Sequence, residues 1–555
     1  MDQAIITRAD GGAAEFEPAS GRVPPAGQAF LRGPVWIVAF TLFFALGLVW
    51  SIGSPLFSVP DEPSHVVKAA SVVRGELVPD KQTLPDEGQG FIRGGWTTVV
   101  HVPLSYTWQT SSIPGCHMFD TRIPAGCSPG FIDDARPATW TTLNGRYPPI
   151  FYGLVGWPTL FDTGTTSIYL MRFINAAVCA ALLATALACA REARRFRLAA
   201  LGVALAATPQ VFFLAGSVNP NGLEIAAAIC LWTALTVVAL DDRPRVPTHL
   251  LWVLGISAGL LAWTRPLSTL WLAIALSVVL LFATGRARVA EVLRSRAACI
   301  TAAIVGVLCV TSAAWTLAFD ALGNNSGDDP RGLGLLDAFS HSLGRTGEYL
   351  EQMVGVFGWR STTMPAPLYW VWGAMVLTLV VLAVRYAPRR LAFGVLVLLG
   401  LMVLAPSLLQ APTAKEFGFV WSGRYNLPIA VGLPILAALA VGTSGRLRPR
   451  GTARLAGLVV TLVAAVQVIA HIVSTRRYVV GTDGPLFYLD QHGWDPPLPA
   501  WFLLIVTISV ASGLALLTYR IATADAPFGP RWGRPQFAPA IEATLSPTVA
   551  EVSTS

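Results

Sequence analysis

The strongest constraint on this chain is a series of apolar runs, most of them about 20 residues long, separated by links that carry arginine. A helix of that length matches the hydrocarbon core of a bilayer, and a backbone in lipid must satisfy its hydrogen bonds internally. The runs fall at 33–53, 166–190, 197–216, 220–240, 249–264, 267–284, 297–318, 367–384, 391–411, 427–443, 454–474 and 499–519. Of the 555 residues, only 13% are charged against 54% hydrophobic. These features predict an all-α polytopic membrane protein with about 12 transmembrane helices. A further run, 150–161, is too short to cross alone and reads as a re-entrant or interfacial helix.

Arginine placement sets the expected orientation. With the N-terminus in the cytoplasm, the inward links carry Arg191, Arg194 and Arg195; Arg243 and Arg245; Arg286, Arg288, Arg294 and Arg296; Arg385, Arg389 and Arg390; and Arg446, Arg448, Arg450 and Arg454. Every dense cluster then lies inside, and counting 150–161 as a crossing would invert them all. The expected organisation is a disordered cytoplasmic tail at 1–32, a transmembrane domain at 33–520 and a second disordered cytoplasmic tail at 521–555. The outer face receives a large first loop within 54–165, including the short apolar run, and a second large loop at 320–366. Apolar spacing over 335–357 predicts an interfacial helix there. The expected location is the plasma (inner) membrane, with both termini cytoplasmic.

The net charge of +7 belongs to these links, and the aromatics lie in apolar segments away from Lys and Arg, so nucleic-acid binding is not expected. Cys179, Cys189, Cys230, Cys299 and Cys309 lie in apolar runs and read as small core residues. Cys116 and Cys127 share the first loop, where a disulfide between them is plausible on an outer face. No spacing suggests a zinc site, and no P-loop, G-x-S-x-G or H-E-x-x-H motif occurs.

Residues with chemistry to offer gather in the outer links. Asp61 and Glu62 stand between Pro60 and Pro63, just past the first run. As a helix start they would serve as cap and dipole partners; held at a membrane surface, one could act as a general base. Helical spacing would put His65 and Lys68 on the face of Asp61. Arg265 and Arg424 lie on the side that disfavours arginine, so each either snorkels or needs an acidic or phosphate partner, and Glu416 is one candidate acid. Asn219, Asn221 and Glu224 form a tight turn and an acid just inside an apolar helix. Tyr147, Trp359 and Arg360 would border an acceptor groove or belong to an aromatic belt.

Three motifs, in order, resemble one known family. They are Pro60-Asp61-Glu62-Pro63-Ser64-His65, Asn219-Pro220-Asn221-Gly222 and Gly423-Arg424-Tyr425-Asn426-Leu427-Pro428. The set is similar to the membrane proteins called domain of unknown function 2142, although an acid is commoner there where Asn221 stands. That resemblance implies the C-type (GT-C) glycosyltransferase superfamily, whose members carry a carboxylate in the first outer loop and use polyprenyl-phosphate sugars. It therefore implies a GT-C-like fold and an inverting glycosyltransferase acting on a cell-envelope glycan, lipid or protein. Asp61 and Glu62 would be catalytic, and Arg424, Arg265, His65, Lys68 and Tyr425 would hold the donor phosphate. Asn219, Asn221, Glu224, Tyr147, Trp359 and Arg360 would line the groove. No cofactor is required, although two acids beside a phosphate could hold Mg²⁺. A transporter or lipid-linked-sugar flippase is the alternative, which predicts polar residues at mid-membrane and a structural repeat.

Overall fold

The computed structural model describes residues 33–83, 96–193, 198–240, 246–323 and 332–524. Residues 1–32 and 525–555, which hold the expected N-terminal tail and most of the C-terminal one, lie outside the described residues, as do Arg194, Arg195, Arg243, Arg245 and the Glu416 side chain; residues 521–523 of the expected tail end the last helix instead.

Helix α1 (Pro34–Ile52) is followed by the short α2 (Glu62–Val72). The first loop then forms β1 (Lys81–Thr83), β2 (Trp96–Pro103), α3 (Gln109–Gly115), β3 (Pro137–Thr142) and α4 (Ile150–Gly156). The chain continues through α5 (Thr165–Glu192), α6 (Ala199–Ala206), α7 (Pro209–Ala215), α8 (Pro220–Leu240), α9 (Thr248–Thr264), α10 (Ser268–Ser277), α11 (Arg286–Leu293) and α12 (Arg296–Ala318). Next come α13 (Leu335–Gly344), α14 (Thr346–Gly355) and the hairpin of β4 (Val356–Phe357) with β5 (Thr362–Thr363). The last helices are α15 (Ala366–Tyr386), α16 (Arg389–Gln410), α17 (Ala414–Phe417), α18 (Gly423–Ala430), α19 (Gly432–Thr443), α20 (Pro449–Val480) and α21 (Ala500–Thr523).

Among the described residues, nine helices are long and apolar enough to cross a membrane: α1, α5, α8, α12, α15, α16, α18 with α19, α20 and α21. The other three expected spans take different forms. Run 197–216 breaks into α6 and α7 because Thr208 precedes Pro209 and is extended (ψ 163°). Runs 249–264 and 267–284 become α9, with 17 residues, and α10 continued by a π-helical turn at Val278–Ala283. Helix α8 is the centre of the bundle. It is buried along nearly its whole length, packing on α5 and α9 and on α19. At its start Gly222 lets α7 approach closely, since a Cβ there would stand 2.8 Å from the Leu214 carbonyl oxygen.

The all-α class holds for the membrane domain, and the first loop adds a small sheet to it. The first loop contains a three-stranded antiparallel sheet in the order β1-β2-β3, with Val100 opposite Trp140 and Thr98 opposite Thr142. Strand β2 is rich in Thr and Val, the composition that favours a strand. The interfacial helix expected over 335–357 is also two helices, α13 and α14, and Trp359 and Arg360 lie beyond them in the β4–β5 turn.

Candidate active site

The link from α1 to α2 is held from below by a buried ion pair. Glu62 and Arg172 of α5 are both fully buried. Arg172 Nε donates to Glu62 Oε1 at 2.7 Å, and Nη2 donates to Glu62 Oε2 at 2.6 Å. Its remaining donors reach the carbonyls of Ser51, Ser54 and Pro55, each at 2.9 Å. All five guanidinium N–H groups are therefore used. The Val218 amide also donates to Glu62 Oε1, and Asn219 Nδ2 donates to the Pro60 carbonyl, both at 2.9 Å.

This clamp sets the conformation of Asp61. Its φ is 65° and that of Phe57 is also 65°, a region costly for side chains other than glycine. Asp61 occupies the N-cap position of α2, but its side chain caps nothing. It turns instead to Arg424 Nη2 at the start of α18, forming a charged hydrogen bond. The Asp61 side chain remains 41% exposed, whereas that of Arg424 is 7% exposed. Burial pushes the Asp61 carboxyl up, yet the positive field led by Arg424 holds it below the ordinary carboxylate range.

Arg265 stands beside Arg424, with the Tyr425 ring against both. Arg265 reaches Glu224 Oε2 at 3.4 Å, and Ser268 Oγ donates to Glu224 Oε1 at 2.6 Å. Asn221 Nδ2 completes the cradle at 3.2 Å. The Tyr425 ring lies 4.7 Å from the Arg265 guanidinium and 5.0 Å from that of Arg424, and Tyr147 lies 6.0 Å from Arg265. Among the described residues, Arg424 Nε and Nη1 and Arg265 Nε have no hydrogen-bond partner although they are buried. These donors remain available to an anionic group.

The expected residues thus divide. Asp61, Arg424, Arg265, Tyr425 and Tyr147 converge. Asn219, Asn221 and Glu224 support them from the α8 turn. Glu62 faces Arg172, so the adjacent acids do not share one cation site, the arrangement that Mg²⁺ would need. Lys68 also turns away: its Nζ donates to the Leu77 carbonyl at 2.9 Å, and burial lowers its ammonium to about 7. His65 Nδ1 faces Tyr152 Oη at 3.0 Å and the Asn144 amide at 3.2 Å. Burial drives its pKa down to about 3, so it serves as a neutral group and not as a cation. Arg360, with φ 62°, is exposed and adds positive field at Asp61. Cys116 and Cys127 form a disulfide. Arg172 was the missed residue, and a lone arginine inside an apolar run was the available signal.

An apolar groove of about 330 Å³ runs beside the helix that carries Arg424. Leu427, Ala430 and Val431 form one wall, continuing the helix that begins at Gly423-Arg424. Trp372 and Val376 of α15 and Met402 of α16 form others, with exposed Trp370 at the edge. Gly423 allows α14 to pass close, because a Cβ there would collide with the Tyr349 carbonyl.

A helical bundle with nine membrane-length apolar helices defines a polytopic membrane protein. Residues 43–433 match the family described as predicted membrane protein (DUF2142), and the chain belongs to that family. No protein of curated function matches the sequence. Among solved structures it is similar to ArnT from Cupriavidus metallidurans bound to undecaprenyl phosphate, at 13% identity and a TM-score of 0.41, over 88% of this chain and 77% of that one.

Proposed function

We propose that this chain is a GT-C-like inverting glycosyltransferase that takes a sugar from a polyprenyl-phosphate donor and passes it to a cell-envelope acceptor. The observation that carries the proposal is the Asp61–Arg424 contact: a half-exposed carboxylate on a buried arginine with donors to spare. The donor phosphate takes Arg424 and Arg265, and the lipid tail follows the groove beside Leu427 and Val431. Taking Arg424 away from Asp61 removes the main charge that lowers its pKa, so the carboxylate becomes a better base as the donor binds. Asp61 then accepts the proton of an acceptor hydroxyl. The acceptor oxygen bonds to the anomeric carbon from the face opposite the phosphate, and the bond from that carbon to the phosphate oxygen breaks. The departing polyprenyl phosphate carries the electron pair, and the arginines stabilise its charge.

The site faces outward in this proposal, because among the described residues the arginines at 286–296, 385–390 and 446–454 belong to the opposite helix ends. Transport is less well supported: Glu224 and Arg172 are deep, but each is already paired at the same end as Asp61. Transfer from a labelled polyprenyl-phosphate sugar, measured in membranes, tests the proposal. Asp61→Asn should abolish transfer and Arg424→Ala should weaken donor use. Wild-type transfer by both variants would refute it.

A further inference from the structure

Arg424 takes its direction from the start of α18, and another helix holds that start. Ser422 occupies the N-cap position, extended at φ −131° and ψ 145°, but its side chain does not cap α18. Its Oγ donates instead to Gln352 Oε1 of α14 at 3.0 Å, and the Gly423 amide donates to the same oxygen at 2.7 Å. One of the amides that a helix start leaves without a backbone partner is thus met by a side chain from outside. Gln352 is buried, and its Nε2 donates to Glu348 Oε1 at 2.8 Å. Glu348 is forked in turn by Arg345, with both bonds at 2.8 Å. A carboxylate only accepts and a backbone amide only donates, so these partners fix which way the Gln352 amide faces. A second glutamine steadies the approach to α18. Gln410 of α16 donates to the Gly418 carbonyl at 2.7 Å and accepts from the Trp421 amide at 2.8 Å.

Helix α14 has a second face. Gly347, Leu350, Glu351 and Val354 recur at helical spacing and line the apolar groove, while Glu348 and Gln352 lie on another face. One rigid element therefore touches both the groove and the segment that carries Arg424. The Arg424 guanidinium bonds Asp61 and, at 3.0 Å, the Tyr425 hydroxyl. It stands at the end of a long side chain one residue beyond Gly423, so a small shift of the Gly423 amide displaces it further. We propose that Gln352 is a positioning residue for the donor phosphate: by capping α18 from outside, it aims Arg424 at the phosphate of a polyprenyl phosphate whose chain lies along the other face of α14. The proposal rests on the transferase reading above for the identity of the ligand, but not for the grip on α18.

Native mass spectrometry of the full-length protein, released from lipid nanodiscs supplied with equal amounts of undecaprenyl phosphate and undecaprenol, tests the proposal without sugar or turnover. The wild type should prefer the phosphate. Gln352→Met, which keeps the length of the side chain and removes both polar ends, should lower that preference about 5-fold, the worth of one hydrogen bond, and leave binding of the alcohol unchanged. The double variant Gln352→Glu with Glu348→Gln exchanges acid and amide, keeps an acceptor for Gly423, and should recover the preference. A purely structural role would lower both ligands together and leave their ratio as it was. Should Gln352→Met yield no folded protein, Gln352→Asn carries the same comparison, because it keeps the amide but shortens its reach. An unchanged ratio in the single variant, or a double variant no better than Gln352→Met, would overturn the positioning role alone. A wild type with no preference for the phosphate would remove the donor reading, and this proposal with it.

Discussion

Asp61 and Arg424 are 363 positions apart in sequence and share a charged hydrogen bond. The pair joins the exit of the first membrane helix to the entry of α18. One partner is exposed enough to meet a substrate, and the other is buried enough to be held still. An ion pair built for stability would bury both ends or leave both in water. This asymmetry suits a carboxylate that changes partners.

That asymmetry makes the stability of Asp61→Asn a useful measurement. With the carboxylate partly solvated, its pairing contributes about 1 kcal/mol or less to folding. The variant should therefore retain near wild-type expression and thermal stability while losing sugar transfer. A large drop in melting temperature would assign Asp61 to the scaffold.

Glu62 should behave in the opposite way. Removing one member of a buried, fully bonded pair costs about 3–5 kcal/mol. Glu62→Ala and Arg172→Ala should both lower the yield of folded protein in membranes. Arg172→Lys should rescue poorly, since an ammonium cannot reproduce the five-donor fork. Thermal unfolding of the purified protein in nanodiscs measures this, and a Lys variant as stable as wild type would contradict the clamp.

Acid should weaken the fold through His65. The unfolded imidazole titrates at its ordinary 6.5 and the folded one at about 3, so between these values the unfolded state binds the extra proton. Stability is therefore complete above the unfolded value and falls as pH drops toward 3, at up to about 1.4 kcal/mol per pH unit. His65→Gln should flatten the profile of melting temperature against pH in that window. Asp61, Arg265 and Arg424 are the charges that act on this ring, so the profile should also shift in Arg424→Ala.

The Glu224 cradle predicts a separable defect. Glu224→Gln keeps the shape but removes the charge that orients Arg265. Donor KM should rise more than kcat falls, because Arg265 would still be present but less firmly aimed. An unchanged KM would leave Glu224 as a packing residue only.

Much of the architecture was legible in the chain because a bilayer leaves few solutions. Apolar length, arginine bias and the three short motifs pointed to the helices and to Asp61, Arg265 and Arg424. The strands of the first loop were less visible, because β2 is one Thr- and Val-rich segment whose partners lie at a distance in sequence. Arg172 was visible as a letter but not as a partner. Helical spacing favoured Asp61 over Glu62 through His65 and Lys68 on its face, but those two side chains turn elsewhere, and it is Arg172 and Arg424 that separate the acids.

Sequence alone determined that the chain crosses a membrane many times, since only internally bonded helices of sufficient apolar length survive in lipid. It also determined which polar residues fall in the links. The tertiary structure alone decided the division of labour at positions 61 and 62. Adjacent side chains at a helix start point in different directions, and what each meets depends on helices brought in from far along the chain. Glu62 meets Arg172 in a sealed interior and is consumed by the fold. Asp61, one residue earlier and in a left-handed turn, meets Arg424 at the edge of water and keeps part of its carboxylate solvated.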